Sequence, residues 1–432
     1  MNHMAAFKNL LNRRIPGQLV IQMTDRCNAR CPQCGMRVTE SFERSTLDVD
    51  TIKHLIDVAG KKNFQAVSFT GGEPLLHQDN LVGLIRYAGA AGIPYIRTGT
   101  NGFIFRNPDR PGFDKRVHGL AESLADTTLR NFWISMDSSF DPIHEQMRGF
   151  KGLVRGIEKA LPIFHDVGIY PSVNLGINRN LAGVTTRSIQ REHFGSSQSY
   201  LDAFYEGFFN GFDRFYRRVV DLGFTIANTC YPMSIDRDEQ EKGLSAVYAA
   251  TAIDDVVCFD PAEKVMLFKA LIHAVQKWRN KIRIFSPLCA VDALIGQYSG
   301  PRDGMQANRC RGGIDFFFVG AGDGNTYPCG YRGNENMGRL WDMDLSLLKE
   351  QITNGSCTRC DWECFRDPTE LMEPILQAFS APLKLFKRLL NRDRSLKLWM
   401  HDLLYYRACH FFDGRRPPEF SRLATYKNLI NL

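Results

Sequence analysis

Short apolar runs and longer amphipathic stretches alternate along the chain from Gln18 onward. The runs QLVIQM (18–23), AVSFT (66–70), YIRTGT (95–100), FWISMD (132–137), YPSVNLG (170–176) and GFTIAN (223–228) favour β-branched and aromatic residues, which predicts strands. Between them, TIKHLIDVAGKK (51–62) and LVGLIRYAGAAG (81–92) space their apolar residues three and four apart, which predicts helices with one buried face. Such alternation implies a parallel sheet with right-handed crossovers. Six units are too few to close an eight-stranded barrel. The expected fold is therefore α/β, a partial (β/α)6 TIM-like barrel over residues 17–285 with residues 1–16 as an N-terminal segment. In such barrels the chemistry sits on the loops after the strand C-termini.

Residues 181–222 read as a polar and aromatic helical insertion, and 236–285 as mostly helical. After SPLCAV (286–291) the composition turns to glycine, cysteine and turn residues, which marks a small Cys-rich domain over 286–367. Residues 368–432 form a tail of apolar and basic helices. With 44% hydrophobic and 23% charged residues over 432 positions, the chain can bury a sizeable core, which excludes wholesale disorder. No apolar run approaches the roughly 18 residues that cross a bilayer. The start, MNHMAAFKNLLNRRIPG, lacks the apolar stretch of a secretory signal, so a cytoplasmic location is expected. The net charge of +7 belongs to the tail: residues 381–432 carry eleven Lys and Arg against four Asp and Glu, and the rest balances at 43 of each.

The twelve cysteines argue for metal ligation rather than a disulfide scaffold, because the cytosol keeps thiols reduced and these thiols cluster. Cys27, Cys31 and Cys34 lie in MTDRCNARCPQCG, directly after the first strand. Thiolates suit iron–sulfur clusters, zinc or copper(I). Three of them on a four-iron cubane would leave one iron open to an outside ligand. A zinc site finished by a distant residue is the plainer alternative, but no second CxxC or histidine pair lies nearby. Cys230 and Cys258 have no partner at ligand spacing and read as buried apolar thiols.

CxxxCxxC after the first strand of a partial barrel resembles the radical S-adenosylmethionine (SAM) superfamily. The resemblance implies a [4Fe–4S] cluster on Cys27, Cys31 and Cys34. It also implies that SAM chelates the open iron and is cleaved to a 5′-deoxyadenosyl radical that takes hydrogen from a substrate C–H bond. Gln33 stands where many members carry an aromatic residue. Further segments agree. Gly71, Gly72, Glu73 and Pro74 resemble the GGEP segment that binds the SAM amino group, the two glycines sparing room where backbone meets a ligand. Asn101 sits in a TNG turn, read as a ribose or backbone contact or simply a turn former. SMDSSFDPIHEQMRG (135–149) is similar to a segment of peptide-modifying members, which implies that Ser135 and Arg148 hold the SAM carboxylate and Asp137 accepts from a hydroxyl. His144 reads as a packing histidine, and Asn174, Tyr231 and Met233 as weaker sugar and adenine contacts.

Cys310 and Cys329 flank Gly324, and CTRCDWEC follows at 357–364, an arrangement that resembles the SPASM/twitch extension of the superfamily. It implies one auxiliary [4Fe–4S] cluster on Cys310, Cys329, Cys357 and Cys360, with Cys364 as the rival ligand. A zinc ribbon is the alternative. The function implied is a SAM-dependent oxidoreductase or maturase acting on a peptide or protein side chain and served by a flavodoxin or ferredoxin reductant. No leader-binding domain is expected before strands that begin by residue 18. The basic amphipathic tail motivates a second reading, a lipid or membrane-bound metabolite as substrate with peripheral contact to anionic membrane. The plainer reading of the tail is a helical cap on the barrel. A metal-binding electron carrier without SAM chemistry is the non-enzymatic alternative, and no nucleic-acid motif is present.

Overall fold

The computed structural model describes residues 10–34, 44–232, 255–300, 308–348 and 360–426. Met233, Cys357 and the first part of the stretch read as helical from 236 lie outside them. One sheet orders its nine strands as β7-β6-β5-β4-β3-β2-β1-β8-β9. Its heart is the parallel succession β1 (Gly17–Thr24), β2 (Phe64–Gly71), β3 (Tyr95–Thr100), β4 (Leu129–Ser135), β5 (Ser172–Gly176) and β6 (Ile226–Cys230). These are the six strands that the apolar runs predict, with ends shifted by up to three residues.

Helices α1 (Val49–Lys61), α2 (Gln78–Ala90), α3 (Phe113–Ala125), α4 (Asp141–Arg148), α5 (Leu153–Asp166) and α6 (Ser197–Asp221) fill the crossovers. Asp48 caps α1 by accepting from the Thr51 amide, and Ser196 opens α6 with a reciprocal capping box. The predicted helical insertion at 181–222 is mostly α6, whose Phe204, Phe208, Phe212 and Phe215 are buried at helical spacing. Along the strands the pleat divides the residues cleanly. Leu19, Ile21, Val67, Phe69, Ile96, Phe132, Ile134, Val173 and Leu175 join the core with the helices. The alternate positions Val20, Ser68, Arg97, Asn131, Trp133, Asn174 and Asn228 line a cavity instead.

The sheet does not stop at the predicted domain boundary. β7 (Arg283–Ile284) pairs with β6, and β8 (Phe316–Val319) runs parallel to β1 with Leu19 opposite Phe317. β9 (Thr326–Tyr327) then turns back antiparallel to β8. The Cys-rich region thus shares the barrel's own sheet. Helices α7 (Pro261–Trp278), α8 (Leu288–Tyr298), α9 (Glu363–Ser380), α10 (Pro382–Leu390) and α11 (Arg394–Ala408) follow, α9 running through the expected boundary at 367/368.

The tail is largely structural. Arg279 and Asp402, both fully buried, pair at 2.7 Å, and Asp402 also accepts from the Leu288 and Cys289 amides. Gly414 inserts between the starts of two strands, its amide donating to the Arg130 carbonyl and its carbonyl accepting from the Tyr170 amide. Arg415 donates to the carbonyls of Ala125, Thr127 and Leu129, and Tyr95 donates to that of Phe412. Residues 405–416 therefore close the end of the barrel where the strands begin. No helix among the described residues is long and apolar enough to cross a membrane.

Candidate functional site

At the opposite end, the first cysteine loop leaves β1 and is tied down from three sides. The Gly72 amide donates to the Thr24 carbonyl and the Glu73 amide to that of Arg26. A Cβ on Gly71, which has φ +150°, would sit 2.0 Å from the Thr24 oxygen, and one on Gly72 would sit 2.2 Å from the Arg26 oxygen. The two glycines spare room for the base of the cysteine loop itself.

Glu73 is fully buried. One carboxylate oxygen accepts from the Leu75 amide at 3.0 Å and the other from the Asn101 amide at 2.6 Å. Burial raises its pKa to about 7, against the pull of those amides. Glu73 thus latches the GGEP loop, with Pro74 beginning a short helical turn, to the TNG turn. Asn101 extends the chain of contacts: its Nδ2 donates to Asn28 at 2.9 Å and lies 3.6 Å from the Cys27 sulfur.

The third tie comes from the end of β4. Asp137 takes a bidentate fork from Arg148, Nε to Oδ2 at 2.6 Å and Nη2 to Oδ1 at 2.7 Å. His144 sits buried beneath, accepting from the Asp137 amide. Burial alone would raise the Asp137 carboxyl, but the charge and hydrogen bonds of Arg148 hold it down at about 2. The guanidinium expected to hold a SAM carboxylate therefore spends its fork on Asp137. Its charge lies beside Cys31 and Cys34 and favours their thiolates, while burial pushes Cys31 up to about 12. Cys31 also feels Cys34 and Cys27, so the three thiols lie within electrostatic reach of one another. In the same loop the buried Gln33 amide has no partner among the described residues.

A second sulfur set lies beside β8. Cys310 and Cys329 are buried, and Cys360, raised first by burial, is raised further by those two neighbours. In each, the sulfur accepts the amide two residues on: Gly312 to Cys310 at 3.4 Å, Tyr331 to Cys329 at 3.4 Å, Trp362 to Cys360 at 3.5 Å. Cys27 repeats the pattern with Ala29 at 3.4 Å. N–H···S contacts of this kind tune iron–sulfur clusters. No three described His, Cys, Asp or Glu side chains converge tightly enough for a single metal ion.

Inside the barrel lies a cavity of about 190 Å³. Arg97, Asn131, Asn174 and Asn228 give it a polar wall, Trp133 and Phe318 an apolar one, and α9 contributes Glu363 and Cys364. Arg97 donates to Ser68 at 2.6 Å and makes no ion pair among the described residues. Asn174, paired in register with Ser135, contacts the Cys230 sulfur. Cys230 is thus a cavity residue, and Cys258 is exposed, so neither is the apolar core thiol that spacing suggested. Arg97 and Glu363 escaped sequence reasoning; the signal available for Arg97 was a charged residue at an inward position of YIRTGT.

The sequence of residues 21–178 matches the family described as the radical SAM superfamily. A probable GTP 3′,8-cyclase of Pyrococcus abyssi (strain GE5 / Orsay) is 29% identical over 163 residues, 37% of this chain and 48% of that protein. A GTP 3′,8-cyclase of Desulforamulus reducens (strain ATCC BAA-1160 / DSM 100696 / MI-1) is 30% identical over 177 residues, 39% and 49% of the two chains. The chain thus spans about half the length of these relatives. In fold it is similar to native anSMEcpe with bound AdoMet, at a TM-score of 0.50 and 15% identity over 82% of this chain and 88% of that one. Residues 21–178, which hold the cysteine loop and the strands β1–β5 beside it, thus match the radical SAM superfamily, whose members bind a [4Fe–4S] cluster and SAM.

Proposed function

We propose that this protein is a radical SAM enzyme that takes hydrogen from a substrate C–H bond in the barrel cavity. One observation carries the reading: Glu73 and Asn101 fasten the three-cysteine loop at the ends of the strands, the Arg148–Asp137 pair sets its charge beside Cys31, and the same strands line a cavity. A four-iron cluster and SAM, once bound, supply a 5′-deoxyadenosyl radical. The chain's own residues do the rest. Cys27, Cys31 and Cys34 hold the cluster, and Arg148 balances their negative charge. Gly71, Gly72, Glu73 and Pro74 shape the rim against which the SAM amino group rests, while Asn101, Ser135 and Asn174 offer polar contacts to its carboxylate and ribose. Arg97 and the asparagines orient the substrate, for which a peptide or protein side chain is our assignment. Supporting it are the likeness of residues 135–149 to peptide-modifying members and the second sulfur set.

We assign Cys310, Cys329, Cys360 and Cys357 to one auxiliary [4Fe–4S] cluster that passes electrons, with a flavodoxin or ferredoxin as reductant. One observation favours an anionic membrane as a site of action: α10 buries none of its residues. Leu383 and Phe386 are 78% and 57% exposed on it, each next to a lysine, Lys384 and Lys387.

The test is anaerobic reconstitution, reduction with dithionite and incubation with SAM. Formation of 5′-deoxyadenosine and methionine supports the reading, and none in the presence of full iron loading overturns it. Incubation with GTP, named in the relatives' activity, runs alongside. Consumption of GTP would overturn the peptide assignment and leave the radical chemistry standing.

A further inference from the structure

Cys364 departs from the other clustered cysteines of the second set. Its sulfur has no bond from an amide two residues on; instead it donates to Glu363 Oε1 at 3.5 Å and lies 3.6 Å from Arg97 Nη2. It lines the barrel cavity, as does Cys230, whose thiol donates to Asn174 Oδ1 at 3.3 Å and lies within electrostatic reach of Glu363. Glu363 is buried, 5% exposed, and its other oxygen, Oε2, has no partner among the described residues. Two thiols thus flank one carboxyl group on a cavity wall, with an unsatisfied acceptor beside them. No metal site forms from the three. Asn174 joins this wall to the cluster end of the barrel: it touches the Cys230 sulfur, and its register partner Ser135 lies two residues from Asp137, which holds Arg148 beside Cys31.

We propose that Cys364 is a hydrogen-atom donor to carbon radicals in the cavity rather than a ligand of the auxiliary cluster, a role that rests on the radical reading above. The S–H bond is weaker than an unactivated C–H bond, so the transfer runs downhill. The radical carbon gains hydrogen, R• + HS–Cys364 giving R–H and a Cys364 thiyl. One electron from the low-potential iron–sulfur or flavin reductant and one proton from solvent restore the thiol. Burial, and then the Glu363 charge, raise the Cys364 pKa and keep it a thiol, the form that carries the hydrogen. Cys230 on the other side of Glu363 completes a pair of reducing groups, and Arg97 holds the Cys364 sulfur toward the cavity. A donor of this kind suits reactions that return hydrogen to the radical position, so that the substrate is rearranged or inverted without net oxidation.

The experiment has two readouts, one of them independent of turnover. Reconstituted Cys364→Ser should carry the same iron as the parent, about eight per chain for two cubanes, whereas Cys360→Ala should lose about four. The parent, reduced in deuterated buffer with SAM and no substrate, should yield 5′-deoxyadenosine carrying solvent deuterium, and in Cys364→Ser that deuterium should be lost. If Cys364→Ser loses iron as Cys360→Ala does, or if the deuterium persists in the variant, the donor role is overturned while the radical reading stands. A parent that makes no 5′-deoxyadenosine overturns that reading and the donor role with it.

Discussion

Replacing Asp137 by Asn tests the tie between the cysteine loop and the barrel. The carboxylate is 1% exposed and takes both arms of the Arg148 fork, so the substitution removes the partner of a buried guanidinium and little else. Held at about 2 instead of the ordinary 3.8, its pKa implies roughly 2.5 kcal/mol of stabilisation at neutral pH. Breaking a buried pair typically costs about 3–5 kcal/mol. Taken together, the two figures put the expected cost at about 2–4 kcal/mol. For 432 residues the unfolding entropy is about 0.9 kcal/mol/K, which converts this cost to a fall of about 2–4 °C in Tm. Differential scanning fluorimetry at pH 7 measures it. The contribution is complete above about pH 3.8 and drains away as pH falls through 2, so the difference from the parent should be flat from pH 5 to 8. An unchanged Tm, or a difference that grows between pH 5 and 8, refutes the reasoning.

Other perturbations probe other joints. Gly72→Ala forces a methyl group within 2.2 Å of the Arg26 carbonyl and should cut iron loading by about four per chain with the circular dichroism of the barrel retained; full loading would show that the loop can give way. Glu73→Ala leaves the Leu75 and Asn101 amides without their acceptor, which should cost about 2–4 kcal/mol and lower Tm accordingly. Arg415→Ala uncaps the carbonyls of Ala125, Thr127 and Leu129 and should lower Tm by about 2–4 °C, whereas a purely solvated tail arginine would move it by less than 1 °C. Removing the apolar side chains Leu383 and Phe386 together should abolish flotation with vesicles containing anionic lipid; flotation that survives contradicts the assignment of α10 to membrane contact.

The sequence made the barrel legible because period-two and period-3.6 patterns are local, and each strand announced itself before its loop. The site residues were legible as types in order along the chain. What they do to one another was not. Arg148 and Asp137 read as separate SAM contacts, but the return of α4 beneath β4 makes them partners of each other. Gly71 and Gly72 read as room for a ligand; that they also make room for Thr24 and Arg26, a segment well back along the chain, is a pairing that only β1–β2 register supplies. The second region looked like a domain of its own because composition changes there, although β8 docks on β1 through backbone hydrogen bonds that composition does not encode. The tail's positive charge looked like a surface feature, while Arg415 spends its charge inside the barrel floor. Cys364 sits at ligand spacing from Cys360, and only the turn into α9 separates their surroundings.

The account turns on two sulfur sites, one of them open to SAM. Electron paramagnetic resonance of the reduced protein with and without SAM, on the parent and on a Cys27→Ala, Cys31→Ala, Cys34→Ala variant, addresses it most directly. The parent should show two reduced-cluster signals, one of which shifts when SAM is added; the variant should keep a single signal that ignores SAM. A variant that retains the SAM-sensitive signal, or a parent whose signals do not respond to SAM, would contradict the account.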